Sequence, residues 1–298
     1  MIHKETSARS VGELRRNEPM ARHTSWRVGG PADRYYVPAS IEDLRRFVAG
    51  LPEDETIHWV GLGSNLLVRD GGVRGTVIAT HGVLSSLERL DDGHVRAEAG
   101  VPCAKLARRC VRWGLGSAEF FAGIPGTVGG ALAMNAGAFG GETWRHVTSV
   151  ETMDRRGEVH RRGPREYQVG YRSVIGPEDE WFLAARFVFQ PNAGATTDDI
   201  RALLARRKAT QPIGLPSCGS VFRNPPGDHA ARLIESAGLK GHRIGGAWVS
   251  DKHANFIISS DEALAADIEQ LIEFVRDTVE EVHAVRLHPE VRIIGESA

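Results

Sequence analysis

Glycine is bunched in this chain rather than spread. It accounts for 34 of 298 residues, about 11% against a typical ~7%. The excess gathers around Gly29-Gly30, Gly61 to Gly75, Gly114 to Gly141 and Gly238 to Gly246. A cluster of this kind serves either a tight turn in a β-rich domain or backbone that approaches a ligand closely. Four clusters favour the ligand. The first, Gly61-Leu62-Gly63-Ser64-Asn65-Leu66, follows a strand-like Ile57 to Val60. A dinucleotide fingerprint would carry its third glycine at Leu66 and continue into a helix. Instead Asp70-Gly71-Gly72 makes a turn, and no Gly-Lys-Ser/Thr occurs, so the Rossmann and Walker A readings both fail. The chemistry still suits phosphate, because the turn presents successive N–H groups beside the Ser64 and Asn65 side chains. The loop Gly123-Ile124-Pro125-Gly126-Thr127-Val128-Gly129-Gly130 offers the same. Each alone reads as an ordinary turn; together they can clasp a pyrophosphate from both sides.

Several function classes are disfavoured. Lys+Arg 37 against Asp+Glu 38 gives a net charge of -1, which argues against a global basic field for nucleic acid and leaves only a local patch. The longest apolar runs are short, as at Phe256-Ile257-Ile258, far from the ~20 residues of a membrane span. Met1 to Met20 mixes Lys, Glu and Arg without an apolar stretch, so no signal peptide is expected. Cys103, Cys110 and Cys218 lack metal-ligand spacing, which points to a reducing cytoplasm. The histidines form no HExxH, and no catalytic metal is expected. No obligate protein partner is indicated.

Periodicity supplies the elements. Residues 1–21 read as a polar arm with one short helix. Asp33 to Pro38 and Thr76 to Thr80 read as strands, and Ile41 to Gly50 as a helix capped by Ser40. Leu87 to Ala99 and Val147 to Arg161 read as hairpins turning at Asp91-Asp92-Gly93 and Arg155-Arg156-Gly157. A helix from Pro102 to Trp113 ends at Gly114. Trp181 to Phe189 is a strand, and Thr197 caps a helix through Lys208. A helix from His229 to Ala237, strands at Ala247 to Ser250 and Asn255 to Ser259, and a helix from Asp261 to His283 follow. That last helix opens on a Ser259/Glu262 capping box. Pro289 to Ile294 is a final strand. The linker composition of Pro191 to Thr197 divides an α+β chain into a domain over 22–191 and a second, smaller one over 197–298.

Gly61 to Ile78 resembles the flavin loop of the vanillyl-alcohol-oxidase (PCMH) type of FAD domain. Phe120 to Glu142, FFAGIPGTVGGALAMNAGAFGGE, resembles the signature of one family with that domain, the UDP-N-acetylenolpyruvoylglucosamine reductases (MurB). Matches to Thr24 to Asp33, Gly170 to Ser173, Cys218 to Pro225, Gly238 to Gly241, Val249 to Phe256 and Leu287 to Val291 follow in the family's order. The chain departs at His23-Thr24-Ser25-Trp26, where many members read Asn-Thr-Thr-Phe or similar. The short spacing from Arg172 to Ser220 resembles the second family type, which lacks an extra substrate-covering loop.

The resemblance implies two lobes in the first domain, a last strand of the second that returns to it, and peptidoglycan precursor chemistry. NADPH reduces non-covalent FAD; hydride then passes to C3 of the enolpyruvyl sugar nucleotide and a proton to C2. By carry-over Ser220 is the proton donor, Arg172 pairs with the substrate carboxylate and Glu290 acts at the reacting end. The FAD contacts implied are Gly61, Gly63, Ser64, Asn65, Leu66, Gly123, Pro125, Gly126, Thr127, Gly129, Gly130, Asn135 and Gly137. Tyr171, Arg223, Asn224, Lys252 and His253 are implied for the UDP-sugar. Read without the resemblance, Ser220 is a turn residue, Arg172 a surface arginine and Glu290 a strand-end carboxylate paired with Arg292. Other FAD oxidases of the fold, and a nucleotide-binding module without flavin, are the competing readings.

Overall fold

Short alternating strands and one-sided helices sort this chain into several packed layers in a computed structural model, which describes residues 11–192 and 194–298. The first sheet holds β1 (Glu13–Pro19), β2 (Pro31–Val37), β3 (Ile57–Val60) and β5 (Val73–Ala79) in the order β1-β2-β5-β3. β2 and β3 run parallel to β5, and β1 closes the edge antiparallel to β2. Helix α1 (Ile41–Ala49) starts at Ser40, whose hydroxyl accepts from Asp43 N at 3.1 Å. It lays Leu44 and Val48 against Ile78 and Leu84.

β1 corrects the expected arm. Its residues are charged and alternate poorly, with only Glu18 buried, so nothing local announces a strand. Such an edge resists pairing with other chains, a common use of charge on edge strands.

The second lobe is a five-stranded antiparallel sheet. It joins β6 (Leu87–Arg89), β7 (Val95–Glu98), Glu180–Phe187, Val147–Asp154 and Val159–Arg162. Both expected hairpins are present. Helix α2 (Cys103–Arg112) buries Leu106, Ala107, Cys110 and Val111, and Gly114 follows with φ +69°. Between these layers Phe121, Leu132 and Phe187 form a core from which water is excluded. Burying such side chains contributes about 1.5–3 kcal/mol each.

The third layer packs α5 (Ala230–Ser236) and α6 (Ala265–His283) against the strands Arg243–Ile244, Ala247–Val249 and Ile257–Ser259. Its core includes Trp26 and Leu67, contributed from the N-terminal part of the chain. Trp26 is 0% exposed, and its ring N–H donates to Ile257 O at 2.8 Å. The long helix begins at Ala265, later than Asp261. Its first amides are met by Asp70, which accepts from Ala265 N and Ala266 N at 2.9 Å. Ser259 instead donates to Trp26 O. The connecting helix α4 (Thr197–Thr210) is capped by Thr196, one residue earlier than expected. Finally, Arg292–Ile294 pairs parallel with β4 (Leu66–Val68). The C-terminal strand thereby lies directly against the first glycine loop.

Candidate functional site

The two glycine loops face one another across a cavity of about 400 Å³. Gly61, Gly63, Ser64, Asn65 and Leu66 form one wall. Gly123, Pro125, Gly126, Thr127, Gly130 and Gly137 form the other. The glycines have steric reasons. A Cβ on Gly61 would sit 2.4 Å from Thr127 Oγ1, and one on Gly63, at φ +60°, would sit 1.9 Å from His23 O. Thr127 Oγ1 is buried with no hydrogen-bond partner among the described residues, and it does not cap the helix α3 (Val128–Met134) that follows. A buried hydroxyl left this way costs about 1–3 kcal/mol unless a ligand meets it. Close-approach backbone plus an orphaned donor fit the diphosphate of a dinucleotide such as FAD.

The charged end of the cavity is formed by Arg172, Ser220 and Glu290, next to Gly137 and Asn65 of the wall. Those three come from different segments. Arg172 sits in the two-residue turn of a hairpin formed by Gln168–Gly170 and Ser173–Ile175, at φ +52°. That left-handed conformation is costly for a non-glycine residue and is typical of functional turns. The turn aims its guanidinium inward: Nη1 and Nη2 donate to Asn135 O and Gly137 O at 3.3 and 3.0 Å. Its Nε lies 3.2 Å from Glu290 Oε1 as an ion pair, out of hydrogen-bond alignment. The two side chains are 18% and 13% exposed. Burial pushes the Glu290 carboxyl above its ordinary value, and the Arg172 and Arg223 charges offset only part of that rise. Such a carboxyl holds its proton to higher pH than an exposed glutamate. Its partner is Arg172 rather than Arg292.

Ser220 is carried on a loop tied through the next residue, Val221, in both directions. Val221 N donates to Asn255 O at 2.9 Å, and Glu290 N donates to Val221 O at 2.7 Å. Serine hydroxyl and glutamate therefore share one backbone framework. Cys218, two residues earlier, is buried with its thiol donating to Leu66 O, and burial pushes its pKa up to about 12. It is not an activated nucleophile.

Other expected residues stand outside the wall. Gly129 is a packing residue, since a Cβ there would meet Ala99 Cβ at 2.9 Å. Asn135, at φ +48°, uses its side chain within the protein: Oδ1 accepts from Trp144 N and Nδ2 donates to Gly170 O. It thus steadies the hairpin that carries Arg172. Tyr171 is 48% exposed and stacks on the Arg172 guanidinium at 5.2 Å. Asn224 Oδ1 takes the Ala230 amide at the start of α5, and Lys252 Nζ donates to Lys208 O. His253 packs edge-on to Phe256, which does line the cavity, and burial lowers its pKa. Arg223 Nε is buried without a partner among the described residues.

Residues not anticipated also line the cavity, among them Met134, Phe139, Arg207, Gln211 and Arg292. Arg207, on α4, donates to Gln211 Oε1 at 2.6 Å, and burial lowers its pKa. An arginine among Arg206, Arg207 and Lys208 carries no signal that one of the three turns inward. A second cavity of about 380 Å³ adjoins the first through Pro125, Arg207, Gly219 and Phe256. Asp154, Glu158 and His160 bring ligand-type atoms together on an outer hairpin turn, away from this cleft. Among the described residues no helix is long and apolar enough to cross a membrane.

Known proteins share both halves of this arrangement. Residues 32–163 match the FAD binding domain, and residues 211–294 match the C-terminal domain of UDP-N-acetylenolpyruvoylglucosamine reductase. The chain is 63% identical over 287 residues to the UDP-N-acetylenolpyruvoylglucosamine reductase of Alkalilimnicola ehrlichii, covering 96% of each. With that of Methylococcus capsulatus it shares 59% over 293 residues, 98% of this chain and 96% of the relative. A crystal structure of MurB from Thermus caldophilus superposes with a TM-score of 0.79 at 32% identity, over 95% of this chain and 98% of that one. Similarity that runs through both the glycine loops and the segments bearing Ser220 and Glu290 leaves one assignment: this chain belongs to the UDP-N-acetylenolpyruvoylglucosamine reductase (MurB) family of FAD-binding oxidoreductases.

Proposed function

We propose that this enzyme reduces UDP-N-acetylenolpyruvoylglucosamine to UDP-N-acetylmuramate, with NADPH as reductant, in the cytoplasmic synthesis of peptidoglycan precursors. The observation that carries the reading is the Arg172–Glu290 pair beside Ser220 at one end of a glycine-walled cavity. FAD, when bound, supplies the two-electron store between NADPH and the sugar nucleotide. Across the whole reaction one hydride reaches C3 of the vinyl ether and one proton reaches C2, so NADPH and a proton are consumed and NADP⁺ leaves.

The protein's own groups have separate tasks. The Gly61–Leu66 and Gly123–Gly130 loops hold the FAD diphosphate through backbone N–H groups and the Thr127 hydroxyl. Arg207 and Arg292 bring positive charge to the same cleft. Arg172, steadied by two carbonyls, faces the substrate carboxylate into which charge from C2 spreads. Ser220 gives the proton to C2; a hydroxyl suffices where the acceptor is carbanion-like. Glu290, whose hold on a proton burial strengthens, acts at the developing charge as the acid that reloads the hydroxyl. Arg223 and His253 are assigned to the UDP-sugar by the resemblance alone. The free, buried Cys103, Cys110 and Cys218 suit a reducing compartment. In this reading residues 22–191 form the FAD part and the substrate part begins near 197.

Anaerobic stopped-flow spectroscopy tests the reading. NADPH should bleach the flavin absorbance, and UDP-N-acetylenolpyruvoylglucosamine should restore it within the turnover time. Reduced protein that stays bleached with this substrate would remove the assignment.

A further inference from the structure

Asn65 belongs to the glycine wall, yet its side chain is engaged elsewhere. Nδ2 donates to the main-chain carbonyl of Glu290 at 3.0 Å and lies 3.4 Å from Met134 Sδ. Its own carbonyl accepts from Arg292 N at 3.0 Å. These contacts extend the parallel ladder between Leu66–Val68 and Arg292–Ile294 by one rung, beyond the end of the paired strands. That rung is made by a side chain and falls on the residue whose carboxyl meets Arg172.

The Glu290 peptide is consequently gripped from both directions. Its N–H donates to Val221 O, next to Ser220, and its C=O accepts from Asn65. Releasing the second contact leaves the backbone of Glu290 held on one side only. A small displacement of a reacting group is enough to cost about 10²-fold in rate.

We propose that Asn65 is a positioning residue for the reduction of the sugar nucleotide: its amide sets the main chain of Glu290 and so ties the FAD-binding loop to the acid end of the site. This rests on the role of Glu290 stated above and gives Asn65 a task distinct from holding FAD.

The test uses Asn65→Asp, nearly the same shape without the N–H donor, and Asn65→Ala, each alone and combined with Glu290→Gln in full-length, FAD-saturated enzyme. Asn65 variants should slow the return of flavin absorbance on adding UDP-N-acetylenolpyruvoylglucosamine by ~10- to 100-fold. With FAD saturating, the loss should fall on kcat rather than KM. Combined with Glu290→Gln, either Asn65 change should cost little more, because both act through one group. Normal reoxidation at FAD saturation, with only weaker FAD binding, overturns the proposal; so does a cycle in which the two losses multiply. Failure of the underlying reading is separately visible: Glu290→Gln alone would then reoxidise at the normal rate. If the alanine variant does not retain FAD, the aspartate variant and its double mutant carry the test.

Discussion

The two ends of the cavity are built on opposite plans. The glycine wall comes from local runs of sequence and works through main chain: Gly61, Gly63 and Gly126 are there because a Cβ at each would meet His23, Ser64 or Thr127. The charged end works through side chains delivered by Arg172, Ser220 and Glu290, whose segments are brought together only by the fold. In the proposed reading the backbone-lined wall binds and the charged end reacts. Substitutions at the two ends should therefore separate cofactor retention from rate.

The largest expected effect is at the charged end. Ser220→Ala removes the proposed proton donor, so reoxidation by the sugar nucleotide should fall ~10²–10⁴-fold. Bleaching by NADPH should hold near the normal rate, since both glycine loops are untouched. Fast reoxidation with slowed bleaching would move Ser220 to the cofactor side and break the division between the ends.

Arg172→Lys comes next. A lysine keeps the charge, but one ammonium cannot reproduce a planar fork that reaches Asn135 O and Gly137 O while facing Glu290. A loss of about 2–4 kcal/mol in the transition state, roughly 30- to 1000-fold in kcat/KM, is expected from steady-state kinetics. A variant within threefold of wild type takes Arg172 out of the site.

On the glycine wall, Gly61→Ala drives a methyl toward Thr127 Oγ1. Overpacking of this kind costs about 1–3 kcal/mol, so FAD Kd should rise roughly 5- to 150-fold. With FAD saturating, kcat should recover; a kcat that stays low would show that the wall also governs chemistry.

Thr127→Val is the mildest and sharpens the comparison most. It removes a buried hydroxyl that has no hydrogen-bond partner among the described residues. FAD-free protein should melt at the same or a higher temperature, while FAD Kd rises by up to about tenfold, the worth of one hydrogen bond. Unchanged affinity in an FAD titration would mean that the hydroxyl never meets the cofactor.

The same division explains what the sequence made legible. Helices α1, α2 and α6 and both hairpins follow from apolar spacing and turn residues, because burial acts on neighbours three, four or two positions apart. The glycine loops are legible as phosphate-type turns for the same local reason. β1 was hidden by its charges, Trp26 by a burial contact 231 residues away, and the start of α6 by a cap supplied from Asp70. Arg172, Ser220 and Glu290 stand out only through family resemblance, since each alone is an ordinary turn or strand-end residue. Asn135 and Gly129 show the converse: residues within the signature that serve the framework around the cavity.

The pairing of β4 with Arg292–Ile294 has a consequence for how the protein is made. Arg69 and Gly295, bonded at 3.1 Å across this junction, are separated by 226 residues. Contacts this distant in sequence close late and slowly, because a long loop must be ordered before they form. During synthesis the first glycine loop leaves the ribosome early, yet its ladder partner follows only after the whole substrate-binding layer has emerged. A nascent chain with both glycine loops already exposed to the cell still lacks the strand that fixes one of them. The strand that braces the first glycine loop is thus the last strand of the chain to be made.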